Sequence, residues 1–223
     1  MENTAKKKII HEMQQMSGKY PLDTIFSDWV TCSAIAIQNS LYMVQNSLWQ
    51  SREEQYTNTM KKYSLEERKV LVKMFLLLPE AFEEGLSDVL GEIYMEAGCG
   101  NKRTGQFFTP FHLSRMTAEM VLSRQHIDEN GKYNIDEPSV GGGGMIIAIA
   151  AALKDRGINY QKCMRVTAQD LDWRSVYMSY VQFSLLGIDA IVVQGDTLQK
   201  PFSEKTTDER HILRTPKRMG VLL

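Results

Sequence analysis

Hydrophobic side chains in the first part of the chain recur at helical spacing. Over residues 23–50 they lie mostly three or four positions apart, which predicts a single amphipathic helix there. The run Ser64-Leu65-Glu66-Glu67 has the form of a capping box, and the helix that it opens is predicted to run to Leu78, where Pro79 interrupts it. With a further short helix over residues 87–96, residues 1–104 are predicted to form a helical domain. A small bundle without chemistry of its own is the simplest interpretation of this region.

Downstream of this region, short β-like segments alternate with helical ones. Strands are predicted at residues 132–136, 164–168 and 190–194, and helices at residues 111–123, 145–155 and 173–186. Strands that alternate with helices of this length imply a parallel sheet, and right-handed crossovers make such a sheet doubly wound. The predicted fold class is therefore α/β, with an N-terminal helical bundle followed by a Rossmann-like sheet in residues 105–223.

Composition narrows the function classes. The chain has 223 residues, of which 43% are hydrophobic and 24% charged, values typical of a globular protein with one domain and an appendage or two small domains. No apolar run approaches the length of a membrane helix. The net charge of −1 is unlike that of a compact, strongly basic DNA-binding domain, so any contact with nucleic acid is expected from a local patch or a partner.

The cysteines and the N-terminus predict a cytoplasmic protein. Cys32, Cys99 and Cys163 are odd in number and widely spaced, which excludes a disulfide framework and a CxxC zinc site and fits a reducing compartment. The opening residues MENTAKKKII contain lysines but no long apolar stretch behind them, so a secretory signal is not indicated.

The first candidate for chemistry is a glycine turn. The run Glu137-Pro138-Ser139-Val140 and the four glycines 141–144 lie between a predicted strand and a predicted helix. Glycines there allow a sharp turn and the close approach of a ligand, and the free N–H groups of the helix start favour an anionic group. A dinucleotide fingerprint would need a third glycine where Ile146 stands, so the NAD interpretation fails. A merely tight turn remains an alternative.

Acidic residues follow the next two predicted strands. Asp170 lies where an acid can accept both hydroxyls of a ribose, since ligands of open α/β sheets bind at the carboxyl ends of strands. Asp172 is predicted to cap the following helix. The third strand ends in Gly195-Asp196-Thr197, which is either another ligand-facing acid or an ordinary turn. Suitable chemistry at three consecutive strand ends favours a ligand site.

These residues resemble a known family. Gly105-Gln106-Phe107-Phe108-Thr109-Pro110, followed by a helix and the glycine turn, is similar to the N6-adenine DNA methyltransferases, in particular the modification subunit of type I restriction-modification systems. The similarity begins at Asp88-Val89-Leu90-Gly91-Glu92-Ile93-Tyr94 and continues through Gly195-Asp196-Thr197-Leu198. The family's turn usually reads Asp-Pro-x-x-Gly-Ser-Gly-Gly, so Glu137 and Gly142 are departures.

The resemblance implies S-adenosylmethionine as the cofactor. Its methionine carboxylate suits the helix start after Gly143 and Thr109, its ribose suits Asp170, and its adenine amino group suits Asp196. Phe107 or Phe108 could pack on the cofactor, or could instead anchor the helical domain. The cofactor-binding residues implied by the resemblance are Phe107, Phe108, Thr109, Pro110, Glu137, Ser139, Gly141, Gly143, Asp170 and Asp196.

The substrate half of the family's site is not found in this chain. The family's Asn-Pro-Pro-aromatic motif accepts hydrogen bonds from the target adenine and stacks on the flipped base. This sequence contains no Asn-Pro-Pro, and its nearest candidate in position, residues 214–218, has one proline, no aromatic residue and cations that cannot accept a hydrogen bond. No catalytic residue is therefore assigned. Because the chain stops at Leu223, the methyltransferase sheet is expected to be incomplete.

Three functions are compatible with this pattern. The first is binding of S-adenosylmethionine without methylation by the chain alone, the second is an active adenine-specific DNA methyltransferase completed by a partner chain, and the third is a degenerate scaffold that binds neither cofactor nor DNA. A methyltransferase acting on protein or small molecules is a further class that the cofactor residues alone leave open. The candidate partners are DNA, a restriction-modification or other DNA-processing subunit, and a second copy of the chain.

Overall fold

A computed structural model describes residues 4–99, 108–123, 127–129 and 131–221. The described residues form two compact units. The first lies within Met1–Gly85 and Val89–Phe108, and the second lies within Leu86–Asp88 and Thr109–Leu223. The boundary predicted between residues 104 and 105 falls outside the described residues, as does Phe107.

The first unit is a helical bundle, as predicted. Helix α1 packs against α2, α4, α5 and α6, and most of the largest buried side chains of the unit come from these helices. The core includes Ile9, Met13, Ile25, Phe26, Trp29, Met74, Leu78, Leu90 and Tyr94. The helices are α1 (Ala5–Met16), α2 (Leu22–Ser40), α3 (Ser47–Met60), α4 (Leu65–Leu76), α5 (Leu78–Glu83) and α6 (Val89–Glu96).

The prediction of one continuous helix over residues 23–50 is wrong. Helix α2 ends at Ser40, and α3 begins at Ser47 behind Asn46, whose side chain accepts a hydrogen bond from the Trp49 N–H at 2.9 Å. Val44 fits the apolar spacing but is 72% exposed, so it belongs to the loop rather than to a buried stripe. A cap at Asn46 satisfies an N–H group that a continuous helix would have paired internally.

The capping box at Ser64 is confirmed. The Ser64 hydroxyl accepts from the Glu67 N–H at 3.3 Å, and the Glu67 carboxylate accepts from the Ser64 N–H at 2.6 Å. The helix that begins there ends at Leu76, and Pro79 lies in the first turn of the next helix, where its missing N–H costs no hydrogen bond.

The second unit is the predicted α/β sheet. Strands β1, β2 and β3 are parallel, and β4 pairs antiparallel with β3, in the spatial order β1-β2-β3-β4. The β1–β2 register pairs Glu137 with Ala168, and the β2–β3 register pairs Asp170 with Gln194. The strands are β1 (Tyr133–Glu137), β2 (Met164–Asp170), β3 (Ala190–Gln194) and β4 (Ile212–Arg214).

Helices alternate with these strands, which confirms the predicted fold class. Helix α7 packs on α8, and α10 packs on β2 and β3. Residues 146–153 of α8 are all buried, as expected for a helix that is apolar on every side. These helices are α7 (Phe111–Leu122), α8 (Gly144–Asp155), α9 (Tyr160–Cys163) and α10 (Trp173–Leu185), with a 3₁₀ turn at Glu209–His211.

The sheet positions the candidate residues at one edge. The glycine turn, Asp170 and Asp196 stand at the carboxyl ends of neighbouring strands. Because β1, β2 and β3 are parallel, these ends meet at the same edge of the sheet.

None of the described helices combines the length and the apolar character needed to span a membrane.

Candidate functional site

Two glycines of the turn are required by backbone conformation. Gly141 has φ of 53° and Gly143 has φ of 101°, both in the left-handed region that side chains disfavour. Gly143 also lies against α10, since a Cβ there would come within 2.8 Å of the Phe183 ring. Gly143 is the N-cap of α8, so the sharp turn leads directly into that helix.

The other two glycines lie in close contact with Asp88. A Cβ at Gly142 would lie 3.1 Å from both carboxylate oxygens of Asp88, and a Cβ at Gly144 would lie 3.0 Å from one of them. Asp88 is 4% exposed. Each of the four glycines therefore has a structural reason, and the run is a packed turn. Sequence reasoning did not connect Asp88 with this turn, although the residue begins the string on which the family resemblance rests.

Asp170 joins β2 to the glycine turn. One carboxylate oxygen accepts from the Gly141 N–H at 2.8 Å, and the other accepts from the Asp172 N–H at 2.9 Å. An ionised carboxylate offers about four acceptor positions, so each oxygen retains capacity for a further donor. The structure thus brings together the turn and the acid that the sequence predicts as ligand contacts.

Asp172 has the role predicted for it. Its carboxylate caps α10 by accepting from the Ser175 N–H at 3.4 Å. The two neighbouring acids are therefore distinguished by their surroundings, with Asp172 engaged at a helix start and Asp170 at the glycine turn.

Asp196 stabilises its own turn at the end of β3. One of its carboxylate oxygens accepts from the Leu198 N–H at 3.0 Å and the Gln199 N–H at 3.3 Å. Next to it, the Thr197 hydroxyl donates to the Pro138 carbonyl at 2.7 Å. This bond joins the loop after β3 to the start of the glycine turn, so the first and third strand ends are tied together.

Two leucines beside the acids were missed by sequence reasoning. Leu171, directly after Asp170, is 67% exposed, and Leu198, two residues after Asp196, is 97% exposed. The signal that could have found them is their position, since each lies one or two residues after an acid near the carboxyl end of a strand, where an apolar side chain can contact a flat ring. Each is a large hydrophobic side chain presented to solvent by a loop at the carboxyl edge of the sheet.

Glu137 and Ser139 occupy the entry to the turn. The Ser139 N–H donates to the Glu137 carboxylate at 3.2 Å, and Ser139 itself is exposed. Burial raises the pKa of Glu137 above its usual value, and the nearby carboxylates of Asp136 and Asp170 raise it further against the lowering effect of the Ser139 N–H. Glu137 is therefore a half-buried acid for which the charged form is disfavoured.

A cavity of about 600 Å³ lies beside Asp196. Gln169 orders one wall of it, because its amide donates to the Lys200 carbonyl at 3.1 Å and accepts from the Phe202 N–H at 3.1 Å. In another part of the lining, the side-chain oxygen of Gln194 forms a hydrogen bond with His211 Nδ1.

Among the described residues, no group of three or more His, Cys, Asp or Glu side chains is arranged to hold a metal ion.

The sequence model of one protein family, N-6 DNA Methylase, matches residues 86–216, which is more than half of the chain. The chain belongs to the N-6 DNA methylase family. The matched residues run from before Asp88, through the glycine turn, Asp170 and Asp196, to Pro216. The resemblance to N6-adenine DNA methyltransferases is thereby confirmed at the level of the family.

One solved structure with detectable similarity is a crystal structure from Listeria monocytogenes, described as a class I S-adenosylmethionine-dependent methyltransferase. It matches with 15% identity and a TM-score of 0.43, over 76% of this chain and 54% of the other. The present chain thus spans about half the length of that protein, and so weak a similarity supports no argument about function. No curated protein matches the chain.

Membership of the N-6 DNA methylase family implies S-adenosylmethionine as the cofactor, and the sheet edge fits that molecule. Asp170 has acceptor capacity for the two ribose hydroxyls, and Gly141 beside it is only half-buried. The start of α8 fits a methionine carboxylate less well, because the carboxylate of Asp88 already lies against Gly144.

The residues around the start of α7 have separate surroundings in this N-6 DNA methylase. Thr109 and Pro110 are exposed and directly precede α7. Phe108 belongs to the first unit, where its ring packs edge-on against Tyr94 at a centroid distance of 5.4 Å. This contact favours the alternative in which Phe108 anchors the helical domain, while its cofactor role and that of Phe107 stay predictions.

The segment that stands nearest to the expected position of the missing Asn-Pro-Pro motif lies at a different edge of the sheet. Strand β4 runs antiparallel to β3, with Arg214 opposite Ile191 and Ile212 opposite Val193, so Thr215 follows at the amino-end edge of the sheet. Thr215 is fully buried, and its hydroxyl donates to the Ile188 carbonyl at 2.7 Å and accepts from the Ala190 N–H at 3.0 Å. Thr215 and Pro216 are thus at the edge opposite to Asp170 and Asp196.

Proposed function

We propose that this N-6 DNA methylase binds S-adenosylmethionine at the carboxyl edge of β1, β2 and β3, and that the chain alone does not transfer methyl groups to DNA. The observation that carries the first half is the 2.8 Å bond between Asp170 and the Gly141 N–H. It places an acid with acceptor capacity beside a turn whose backbone a ligand can approach.

The ribose and the adenine of the cofactor each have a contact in this proposal. Asp170 accepts the ribose hydroxyls, while Leu171 and Leu198 enclose the adenine ring, whose amino group donates to Asp196. The exposed fractions of the two leucines support this arrangement, since binding a flat apolar ring would remove their side chains from water. Gly141, which is half-buried, presents the backbone of the turn to the rest of the molecule, buried Gly143 shapes that turn, and Glu137 and Ser139 line its entry.

The residues around α7 complete the proposed contacts by analogy with the family. Thr109 and Pro110, at the start of α7, and the preceding Phe107 and Phe108 are assigned to the cofactor on that basis alone. When bound, the cofactor supplies an electrophilic methyl group on a sulfonium centre. This chain's own residues hold and orient that molecule and exclude water from its adenine.

The proposal that the chain alone transfers no methyl group rests on the residues that would bind the target adenine. A target adenine needs neutral hydrogen-bond acceptors for its amino group, and this chain has no Asn-Pro-Pro. Thr215, the nearest candidate in position, uses its hydroxyl within the sheet at the opposite edge. No described residue is therefore assigned to hold the target base.

A second candidate function is an active adenine-specific DNA methyltransferase completed by a partner chain. Among the described strands, β1 pairs only with β2, which leaves its other edge available for a further strand. A partner such as a restriction-modification subunit would then supply both that strand and the missing acceptors. Its test is reconstitution of transfer by a chain that carries an Asn-Pro-Pro-aromatic motif.

In such an assembly, we propose that the partner chain makes most of the contacts with DNA. The arginines of the polar C-terminal segment are engaged in ion pairs, with Arg210 at 2.6 Å from Asp208, Arg214 at 2.6 Å from Glu209 and Arg218 at 3.4 Å from Asp189. Arginines that are already paired with carboxylates contribute little to a phosphate-binding patch.

Labelled S-adenosylmethionine tests both halves of the proposal. Equilibrium dialysis should show saturable retention of the label by the purified chain. Incubation with adenine-containing duplex DNA, with protein and with small-molecule acceptors should leave each of them unlabelled. Absence of retention would reject the binding half, whereas labelled adenine in DNA would reject the second half.

A further inference from the structure

A fully buried glutamine joins Asp88 to the glycine turn. Gln182 lies on α10 with none of its surface exposed, and its side-chain nitrogen donates to Asp88 Oδ1 at 2.7 Å and to the Gly142 carbonyl at 2.6 Å. A primary amide nitrogen carries two hydrogens, so both are used in these bonds. The carbonyl of the turn and a buried carboxylate are thus held by one side chain.

The side chain of Asp88 also packs directly against two glycines of the turn. A Cβ at Gly142 or Gly144 would lie only 3.0–3.1 Å from the Asp88 oxygens, so glycine suits this close approach best. Burying a carboxylate is costly unless hydrogen bonds satisfy it, and Gln182 supplies one of them. Gly141 is held separately by Asp170, so two consecutive residues of the turn are fixed by different parts of the fold.

We propose that Gln182 and Asp88 are positioning residues that hold the glycine turn in its cofactor-binding conformation. The inference rests on the proposed binding of S-adenosylmethionine. Both side chains are buried, so they act on the cofactor through the backbone of the turn. Four successive glycines have exceptional conformational freedom unless other residues hold them in place. A turn that is already ordered before the cofactor arrives loses less conformational entropy when the cofactor binds.

Calorimetric titration with S-adenosylmethionine tests the positioning role. Gln182→Met keeps the approximate volume of the side chain but removes both donors, and it should weaken binding about tenfold. The matched control is Tyr180→Phe, which removes a buried hydroxyl bond to the Arg214 carbonyl from the same helix at the other edge of the sheet. This control should bind as the wild type does. Equal affinities of the two variants would overturn the proposal.

A second pair of variants separates positioning from loss of folding. Asp88→Asn retains an oxygen that can accept from Gln182 and should bind within about threefold of the wild type, whereas Asp88→Ala should lose about tenfold. Circular dichroism verifies that both are folded at the temperature of titration. Retention of wild-type affinity by Asp88→Ala, or a loss by Asp88→Asn as large as that of Asp88→Ala, would contradict a role through this hydrogen bond.

Hydrogen exchange separates a failure of this proposal from a failure of the proposed function. In the ligand-free protein, the amides of Gly142, Gly143 and Gly144 should exchange faster in Gln182→Met than in the wild type or in Tyr180→Phe. A wild type that does not bind S-adenosylmethionine would reject the proposed function and, with it, the cofactor role of these residues. Unchanged exchange in Gln182→Met would reject the positioning role, whatever the binding result.

Discussion

The carboxylate of Asp170 accepts a hydrogen bond from the backbone N–H of Gly141 across 2.8 Å, although the two residues are 29 positions apart. The contact makes the carboxyl end of β2 and the turn after β1 into one surface. A ligand that binds the acid therefore meets the glycine backbone as well, which is the arrangement that open α/β sheets use for nucleotide-like molecules.

The contact between Gly142 and Asp88 predicts a specific pattern of stability. Gly142→Ala places a methyl group 3.1 Å from the carboxylate and should lower the free energy of unfolding by about 1–3 kcal/mol. The loss should be smaller when Gly142→Ala is introduced into Asp88→Ala, because the obstructing group is then removed. Urea unfolding of the four proteins measures the coupling.

Gly18→Ala serves as the control for this cycle. A Cβ at Gly18 meets nothing within 4 Å, so its substitution should leave the protein as stable as before or slightly more so. Additive effects of Gly142→Ala and Asp88→Ala would contradict the contact.

The buried hydroxyl of Thr215 predicts a variant that affects stability but not cofactor binding. Thr215→Val preserves the shape and leaves the Ala190 N–H without its partner, which should cost about 1–3 kcal/mol of unfolding free energy. Because the residue lies at the edge opposite to Asp170, affinity for S-adenosylmethionine should be unchanged. Loss of affinity in folded Thr215→Val would place this segment in the binding site after all.

The raised pKa of Glu137 predicts a pH dependence of stability. Well below pH 4.5, the carboxyl is protonated in the folded and the unfolded protein and contributes nothing to the difference. As the pH rises, the unfolded chain ionises first, because burial raises the folded pKa, so stability falls until the pH passes that folded pKa.

Glu137→Gln removes this contribution. The variant should therefore be more stable than the wild type near neutral pH and closely similar to it well below pH 4.5. Thermal unfolding of both proteins across this range measures the effect. Parallel curves with a constant difference would show that the ionisation of Glu137 does not influence folding.

Features set by neighbouring residues could be predicted from the sequence. Ser64 and Asp172 cap helices because a hydroxyl or a carboxylate at that position reaches N–H groups within three residues. The three parallel strands were predicted because each is a short β-like segment between helical ones. The acids at their carboxyl ends follow from that order, since parallel strands bring these ends to one edge.

Features set by distant contacts could not be predicted in this way. Asp88 and Gln182 are 94 positions apart, and nothing in their local sequence indicates that they meet at the glycine turn. Val44 has the spacing of a buried residue and is exposed, because only packing decides which apolar side chains are covered. Strand β4, three residues in a polar segment, is a strand because it pairs with β3.

The most direct test of the account is a calorimetric titration of the wild type, Asp170→Ala and Asp172→Ala with S-adenosylmethionine. The two substitutions remove neighbouring carboxylates, but only that of Asp170 is proposed to accept the ribose hydroxyls. We expect saturable binding by the wild type, binding about tenfold to a hundredfold weaker in Asp170→Ala, and unchanged affinity in Asp172→Ala. Equal affinity of the two variants, or no binding by the wild type, would contradict the proposed cofactor site.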